Sequence, residues 1–143
     1  MKILVIGGMH GNEKLGLEVV ELFQMSPNSQ VDTLLANKRA IAANCRFTDQ
    51  DLNRSFPGNP KAVDYEARRA AEILKKTTDY DVVLDFHNTY CPDNDCSFIG
   101  EAANDTLTSV AWLLGLDKVI IADYNCINKA AKNCLSIEVS LGS

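Results

Sequence analysis

At 143 residues, with 46% hydrophobic and 23% charged side chains, the chain has the size and make-up of one soluble globular domain able to bury a real core. Its net charge of −5 leaves no basic stripe to neutralise phosphates, which argues against non-specific nucleic-acid binding. No apolar run is long enough to span a bilayer, so no membrane partner is expected. The N-terminus has one lysine and then a strand-length apolar run, without a signal peptide's longer apolar region and small-residue cleavage site. Five scattered cysteines, Cys45, Cys91, Cys96, Cys126 and Cys134, form no C-x-x-C pair. They fit a reduced, cytoplasmic protein with mostly buried thiols. Cys91 and Cys96 bracket the turn sequence Pro92-Asp93-Asn94-Asp95, which leaves a local disulfide or metal clip open there.

In chain order, Lys2-Ile3-Leu4-Val5-Ile6 is a β-branched and aliphatic run stopped by Gly7-Gly8, the pattern of a short buried strand. A helix is expected from Glu13 to about Met25, with Leu15, Val19, Leu22 and Phe23 on one face. Ser26-Pro27-Asn28-Ser29 ends it, and Val31–Ala36 forms a second strand. From Asn37 to Pro60 the periodicity is weak and the chemistry polar, and a connection that long in a small domain is often functional. Asn59 and Pro60 supply a cap and first turn for a helix running to about Lys76. Val63, Ala67, Ala70, Ile73 and Leu74 are placed inward on it, and Asp64, Glu66, Arg68, Arg69 and Glu72 on a solvated face.

Asp81–His87 is a third strand, apolar enough to be buried on both sides as in a parallel sheet. Ser97-Phe98-Ile99 marks a short strand. Leu107, Val110, Trp112, Leu113 and Leu114 mark a helix closed by Gly115. Lys118–Ala122 and Cys134–Val139 complete the strands. Strands alternating with helices, with no internal repeat or linker, give an α/β domain with a largely parallel sheet.

The polar residues concentrate where strands end. Gly7-Gly8-Met9-His10-Gly11-Asn12-Glu13 connects the first strand to the first helix, and ligands in open α/β sheets bind at the carboxyl ends of strands. An imidazole and a carboxylate with two residues between them can converge on one cation if the backbone turns sharply; a glycine-rich phosphate loop, or simply a tight turn, is the alternative. The spacing is neither G-x-G-x-x-G nor a P-loop. His87 ends the third strand, and His10 and His87 are the only two histidines. Two histidines and a carboxylate form a catalytic zinc set that leaves a position for water. Asp85, two residues before His87, either orients that imidazole or is simply a polar strand end. Glu138 is a carboxylate on an otherwise apolar strand, which is costly unless it is used or paired; a strand-edge carboxylate facing solvent is the alternative.

Three segments, Gly8-Met9-His10-Gly11-Asn12-Glu13, Asp51-Leu52-Asn53-Arg54 and Asp85-Phe86-His87-Asn88-Thr89, in that order, resemble the aspartoacylase and succinylglutamate desuccinylase family of zinc carboxypeptidase-like hydrolases. The likeness runs from residue 3 to about residue 139, and the His-Asn-Thr form of the third segment is closer to aspartoacylase. The resemblance implies a shortened zinc carboxypeptidase-like domain: three layers, with a mostly parallel or mixed central sheet and helices on both faces. It implies one zinc per chain held by His10, Glu13 and His87, which lowers the pKa of a water and polarises the scissile carbonyl. It implies that Glu138 is the general base and that Arg46 stabilises the developing oxyanion. Asn53 and Arg54 would hold the substrate's free carboxylate, a task that suits the guanidinium fork. Without the resemblance, a loop salt bridge to Asp49 or Asp51 accounts for each arginine equally well.

The sequence also departs from the family. After the catalytic glutamate the family continues with Gly-Pro, whereas this sequence gives Ser140-Leu141-Gly142-Ser143. The family's C-terminal β-rich domain, which covers the active-site mouth, has no counterpart, so one domain over residues 1–143 is expected. The family's basic residue for a second substrate carboxylate falls near Asn128, with Lys129 beside it, which leaves a dicarboxylic substrate unsecured.

The expected function is hydrolysis of the amide bond of a small N-acyl amino acid, with assembly into a homo-oligomer left open. A carboxypeptidase-type peptidase on the same fold, a metal-binding module with weak or no activity, and a nucleotide-binding α/β domain using the Gly7-Gly8 turn are the alternatives.

Overall fold

In the computed structural model, which describes residues 1–102 and 104–141, the apolar run after Lys2 forms β1 (Ile3–Gly7) and the following polar segment leads into α1 (Lys14–Met25). There follow β2 (Val31–Leu35), α2 (Lys38–Ala43), a 3-10 turn at Leu52–Arg54 and α3 (Tyr65–Thr77). The second half holds β3 (Val82–Thr89), β4 (Cys96–Ile99), α4 (Asp105–Leu113), β5 (Val119–Ile121), α5 (Ile127–Ala130) and β6 (Cys134–Ser140). Of Ser140-Leu141-Gly142-Ser143, where the sequence parts from the family's Gly-Pro, Ser140 ends β6, and Gly142 and Ser143 lie outside the described residues.

The strands form one six-stranded sheet in the order β2-β1-β3-β6-β4-β5. β2, β1, β3 and β6 run parallel; β4 pairs antiparallel with β6, and β5 runs parallel to β4. Four of the five pairings are parallel and one is antiparallel, so the sheet is largely parallel, as expected, and mixed at β4. The residues between β3 and β4 are too few for a crossover helix, so β4 must come back in the opposite direction. The pleat divides the core in two. Leu4, Ile6 and Val83 pack with Ala70 and Ile73 of α3 and Ile127 of α5. Val82, Leu135 and Ile137 pack with Leu107 and Ala111 of α4 on the opposite face, which α1 shares through Gly16. Helices thus cover both faces, the expected three layers.

The helices are set differently from their local patterns. On α1 the inward stripe is Gly16 and Val20, while Leu22 and Phe23 are exposed. The helix backbone lies directly on the sheet there: a Cβ on Gly7 would stand 2.0 Å from the Gly16 carbonyl oxygen, and one on Gly16 would stand 2.6 Å from that of Phe86. Close approach selects the smallest residue rather than the most apolar one. On α4, Leu107 and Ala111 point inward, Trp112 and Leu113 outward, and Gly115 follows the last turn as expected.

α3 begins five residues later than Asn59 and Pro60 suggest. The Asn59 carboxamide closes a local turn onto the Lys61 amide (2.9 Å), and Val63 is 94% exposed. The true start is capped from far away, with the Tyr65 amide donating to Asp49 Oδ2 at 2.9 Å. Glu66, expected on the solvated face, is fully buried. All five cysteines are free; Cys96, Cys126 and Cys134 are buried and Cys91 is exposed.

The Gly7–Gly16 approach sets how α1 sits on the sheet, so a methyl group there is costly although alanine favours helix by about 1 kcal/mol. Gly16→Ala is expected to lower stability by about 1–2 kcal/mol, because both clashing partners are backbone. Urea unfolding monitored by circular dichroism measures this, and an unchanged or raised midpoint contradicts the account.

Candidate metal centre and active site

Because β1, β3 and β6 are parallel, their carboxyl ends share one edge of the sheet, and Gly7 of β1 stands in register with Phe86 of β3. Two short connections leave that edge side by side. Gly8, at φ +71°, turns the chain sharply, so that His10 and Glu13 fall back over the end of β3, where His87 points the same way. All three side chains are buried.

One carboxylate joins both rings. His10 Nδ1 lies 2.7 Å from Glu13 Oε1, and His87 Nδ1 lies 3.0 Å from Glu13 Oε2. The Asn88 amide donates to the same Oε2 at 3.3 Å. The far nitrogens are engaged as well: His10 Nε2 is 3.1 Å from Asp51 Oδ1, and His87 Nε2 is 2.7 Å from Asp85 Oδ2. The ring centroids are 5.2 Å apart, and one ligand atom from each of the three residues fits within a 4.8 Å span.

This donor set fits a divalent cation. A neutral imidazole that donates Nε2–H to Asp51 or Asp85 leaves its Nδ1 lone pair facing the lone pairs of Glu13. Either both rings carry a second proton, or a metal lies between two imidazole nitrogens and a carboxylate, each imidazole backed by its own carboxylate. Electrostatics within the metal-free chain favour the first state. Burial pushes the pKa of His87 down, but Asp85 and Glu13 outweigh it and hold it well above 6.5. Burial likewise opposes, and Asp51 and Glu13 reverse, the shift at His10, which is raised. Burial works against the carboxylates too, yet bonds from His10 and His87 hold Glu13 at about 2, and His10, Arg46 and the Asn53 amide hold Asp51 at about 2.

The other expected residues surround this cluster at different distances. Arg46, half-exposed, reaches Glu13 Oε1 at 3.5 Å and Asp51 Oδ2 at 3.4 Å, so the loop ion pair and the placement beside the cluster are both real. Glu138 is the register partner of His87 on β6 and shares its face of the sheet. Burial, with the nearby charges of Glu13 and Asp85, raises its pKa against the pull of His87 and His10. Asn53 and Arg54 lie on the 3-10 turn behind Asp51, and the Asn53 amide donates to Asp51 Oδ1 at 2.9 Å. Asn53 Oδ1 accepts from the Ile127 amide (3.3 Å), and the Arg54 guanidinium stacks 4.4 Å above the Tyr124 ring.

Asp85 proves to be an orienting acceptor rather than a mere strand end. It is fully buried, and Ser136 Oγ also lies within 3.2 Å of the oxygen that meets His87. Asn128 is buried beneath, bound to Ser136 and to the Phe98 and Cys134 carbonyls, while Lys129 pairs with Asp123 outside. Sequence reasoning missed two participants. Asp51, which opens the second matched segment but was given no role beyond ion pairing, holds His10. Asn88 both donates to Glu13 and, through its side chain, caps the first turn of α1 at Leu15 (3.0 Å). The polar run after His87 was the available signal.

A pH dependence follows for the metal-free chain. Glu13 and Asp51 have folded-state values near 2, below their ordinary 4.5 and 3.8, so their stabilisation is complete above about pH 4.5 and is lost as pH falls towards 2. His10 and His87 are raised above 6.5, so theirs is complete below that value and is lost as pH rises. Urea unfolding of chelator-treated protein is expected to show greatest stability between about pH 4.5 and 6.5; a steady rise from pH 6 to 8 would contradict the site electrostatics.

Residues 1–118 match the family model for the succinylglutamate desuccinylase/aspartoacylase catalytic domain. Over 114 residues the chain is 35% identical to the mouse (Mus musculus) N-acyl-aromatic-L-amino acid amidohydrolase (carboxylate-forming), covering 67% of this chain and 36% of that protein. It is 33% identical over 124 residues to rat (Rattus norvegicus) aspartoacylase, covering 74% of this chain and 40% of the relative. The crystal structure of the succinylglutamate desuccinylase from Chromobacterium violaceum superposes with a TM-score of 0.79 at 21% identity, over 97% of this chain and 52% of that one. The chain thus spans about half or less of the length of these relatives. With the zinc carboxypeptidase-like fold in common and the family model covering most of its length, the chain belongs to the succinylglutamate desuccinylase/aspartoacylase family.

Proposed function

We propose that this chain carries the catalytic centre of a zinc-dependent amidohydrolase that cleaves an N-acyl amino acid into a carboxylate and an amine. The observation that supports this most is the buried trio His10, Glu13 and His87, with a carboxylate behind each imidazole and the raised-pKa Glu138 beside His87. Zinc bound there would lower the pKa of water and polarise the scissile carbonyl. The relatives' names as amidohydrolases and aspartoacylases favour a small N-acyl amino acid over a peptide.

The residues divide the work. Glu138 takes a proton from the attacking water as its oxygen bonds to the carbonyl carbon. It delivers that proton to the nitrogen as the C–N bond breaks, so one water is consumed. Its raised pKa makes it the stronger base for the first step, and the carboxylic acid it becomes then protonates the leaving nitrogen. Arg46 stands at the rim with only long contacts to Glu13 and Asp51, which leaves N–H groups for the carbonyl oxygen as it gains charge. Arg54, one face on Tyr124, presents its edge to the substrate's free carboxylate, and Asn53 supports the turn that carries it.

Zinc-loaded protein incubated with N-acetylaspartate, N-acetyltyrosine and short peptides, with acetate or free amine measured, tests the reading. Turnover of an N-acetyl amino acid but not of peptides is expected. Glu138→Gln is expected to lower kcat by about 10²–10⁴-fold with zinc content unchanged, and His87→Ala to lose the zinc. Protein that takes up no zinc, or a Glu138→Gln variant as active as the parent, refutes it.

A further inference from the structure

Glu66 has no part in the chemistry described so far, yet among the described residues it is the most heavily bonded carboxylate. It is fully buried in the first turn of α3. Its Oε1 accepts from the Thr48 amide (2.8 Å), the Thr48 hydroxyl (2.7 Å) and Asn37 Nδ2 (3.1 Å). Its Oε2 accepts from the amides of Asp49 (3.1 Å) and Gln50 (3.4 Å). None of these donors is a cation. A buried carboxylate usually needs a positive partner; here three consecutive backbone amides turn inward and solvate it. Burial raises its pKa, but the bonds from Thr48, Asn37 and Asp49 prevail and keep it below the ordinary value.

The geometry is a clasp in both directions. α3 offers Glu66 to the loop amides, and the loop returns Asp49 to the first amide of α3. The clasped residues lie between Arg46 and Asp51, the two loop residues that touch the metal cluster. Asp51 also anchors the 3-10 turn that carries Asn53 and Arg54, through the Asn53 amide and the Ser55 hydroxyl (2.8 Å). Asn37, the remaining donor, caps α2 at Ala40 (3.2 Å), so the same carboxylate ties down the start of that helix.

We propose that Glu66 is the positioning residue of the active site: its carboxylate fixes residues 48–50 and thereby holds Asp51 against His10 and Arg46 at the rim of the cluster. Its consequence for rate rests on the hydrolase reading; its consequences for loop order and metal affinity do not.

The test compares the parent chain with Glu66→Gln, which keeps size but sets an NH2 group among donors, and with Glu72→Gln, a change on the exposed side of α3. Three quantities are read: amide exchange at residues 48–50 and 84–86, zinc affinity by chelator competition, and kcat/KM for an N-acetyl amino acid at saturating zinc. Glu66→Gln is expected to speed exchange at residues 48–50 about tenfold while residues 84–86 keep parental protection. Zinc affinity is expected to fall about tenfold, as when an imidazole loses its orienting partner, and kcat/KM by about 10–100-fold. Glu72→Gln is expected to change none of these.

Unchanged exchange at residues 48–50 overturns the proposal. So does a loosened loop with zinc affinity and kcat/KM both at parental values. Should Glu66→Gln lose protection everywhere, Thr48→Val decides. It removes one hydroxyl donor and leaves the charge, so about threefold effects confined to the loop, zinc affinity and rate are expected; a parental profile there is fatal. A parent chain that binds zinc without turnover refutes the hydrolase reading alone, and exchange and zinc affinity still judge Glu66.

Discussion

The structure depends on one buried carboxylate. Glu13 meets a ring nitrogen with each of its oxygens, from residues 3 positions before it and 74 after it, and accepts an amide from the strand that carries the second ring. A charge held this deep is tolerable only with full compensation, and most of what surrounds it serves that need. β1 and β3 must be adjacent and in register. Gly8 must turn the chain back, and Asp51 and Asp85 must hold the outer faces of the rings. The glutamate is consequently unavailable to cap its own helix, and the Asn88 side chain does so instead.

The environment also divides the carboxylates of the site. Glu13 and Asp51 are held low by imidazole and guanidinium contacts, while Glu138 is raised by burial and by its acidic neighbours. Neighbouring acids pushed apart in this way can play different parts, one set staying ionised and another taking up a proton more readily. The difference comes from position in the sheet. Asp85, His87, Ser136 and Glu138 share one face because the pleat of β3 and β6 places alternate residues there.

What the sequence made legible was what short-range pattern encodes. Each strand falls within a residue or two of its apolar run, and His10, Glu13 and His87 stood out because scarce polar types collected where strands end. Bonds made by distant residues were not legible. Glu66 sits among charged neighbours in a helix whose periodicity places it outside; only a loop sixteen or more residues upstream in sequence buries it. The start of α3 was misplaced because its cap, Asp49, is equally remote, whereas Asn59-Pro60 mimics a cap locally. Gly16 carried no apolar signal although it brings the helix backbone directly onto the sheet, because closeness and hydrophobicity are different requirements. The reversal of β4 and β5 follows from a short connection whose implication appears only when the neighbouring strand is known.

The bond from the Leu15 amide to the Asn88 side chain has a consequence for how the molecule comes together. A helix with an open first turn nucleates poorly by itself, and here the group that closes that turn arrives with a strand 73 residues further along. The beginning of α1 and the far end of β3 therefore become ordered in the same event. A peptide containing only the glycine turn and its helix would have His10 and Glu13 but not His87, which comes with β3. The pocket of His10, Glu13 and His87 thus requires β1 and β3 to be docked side by side.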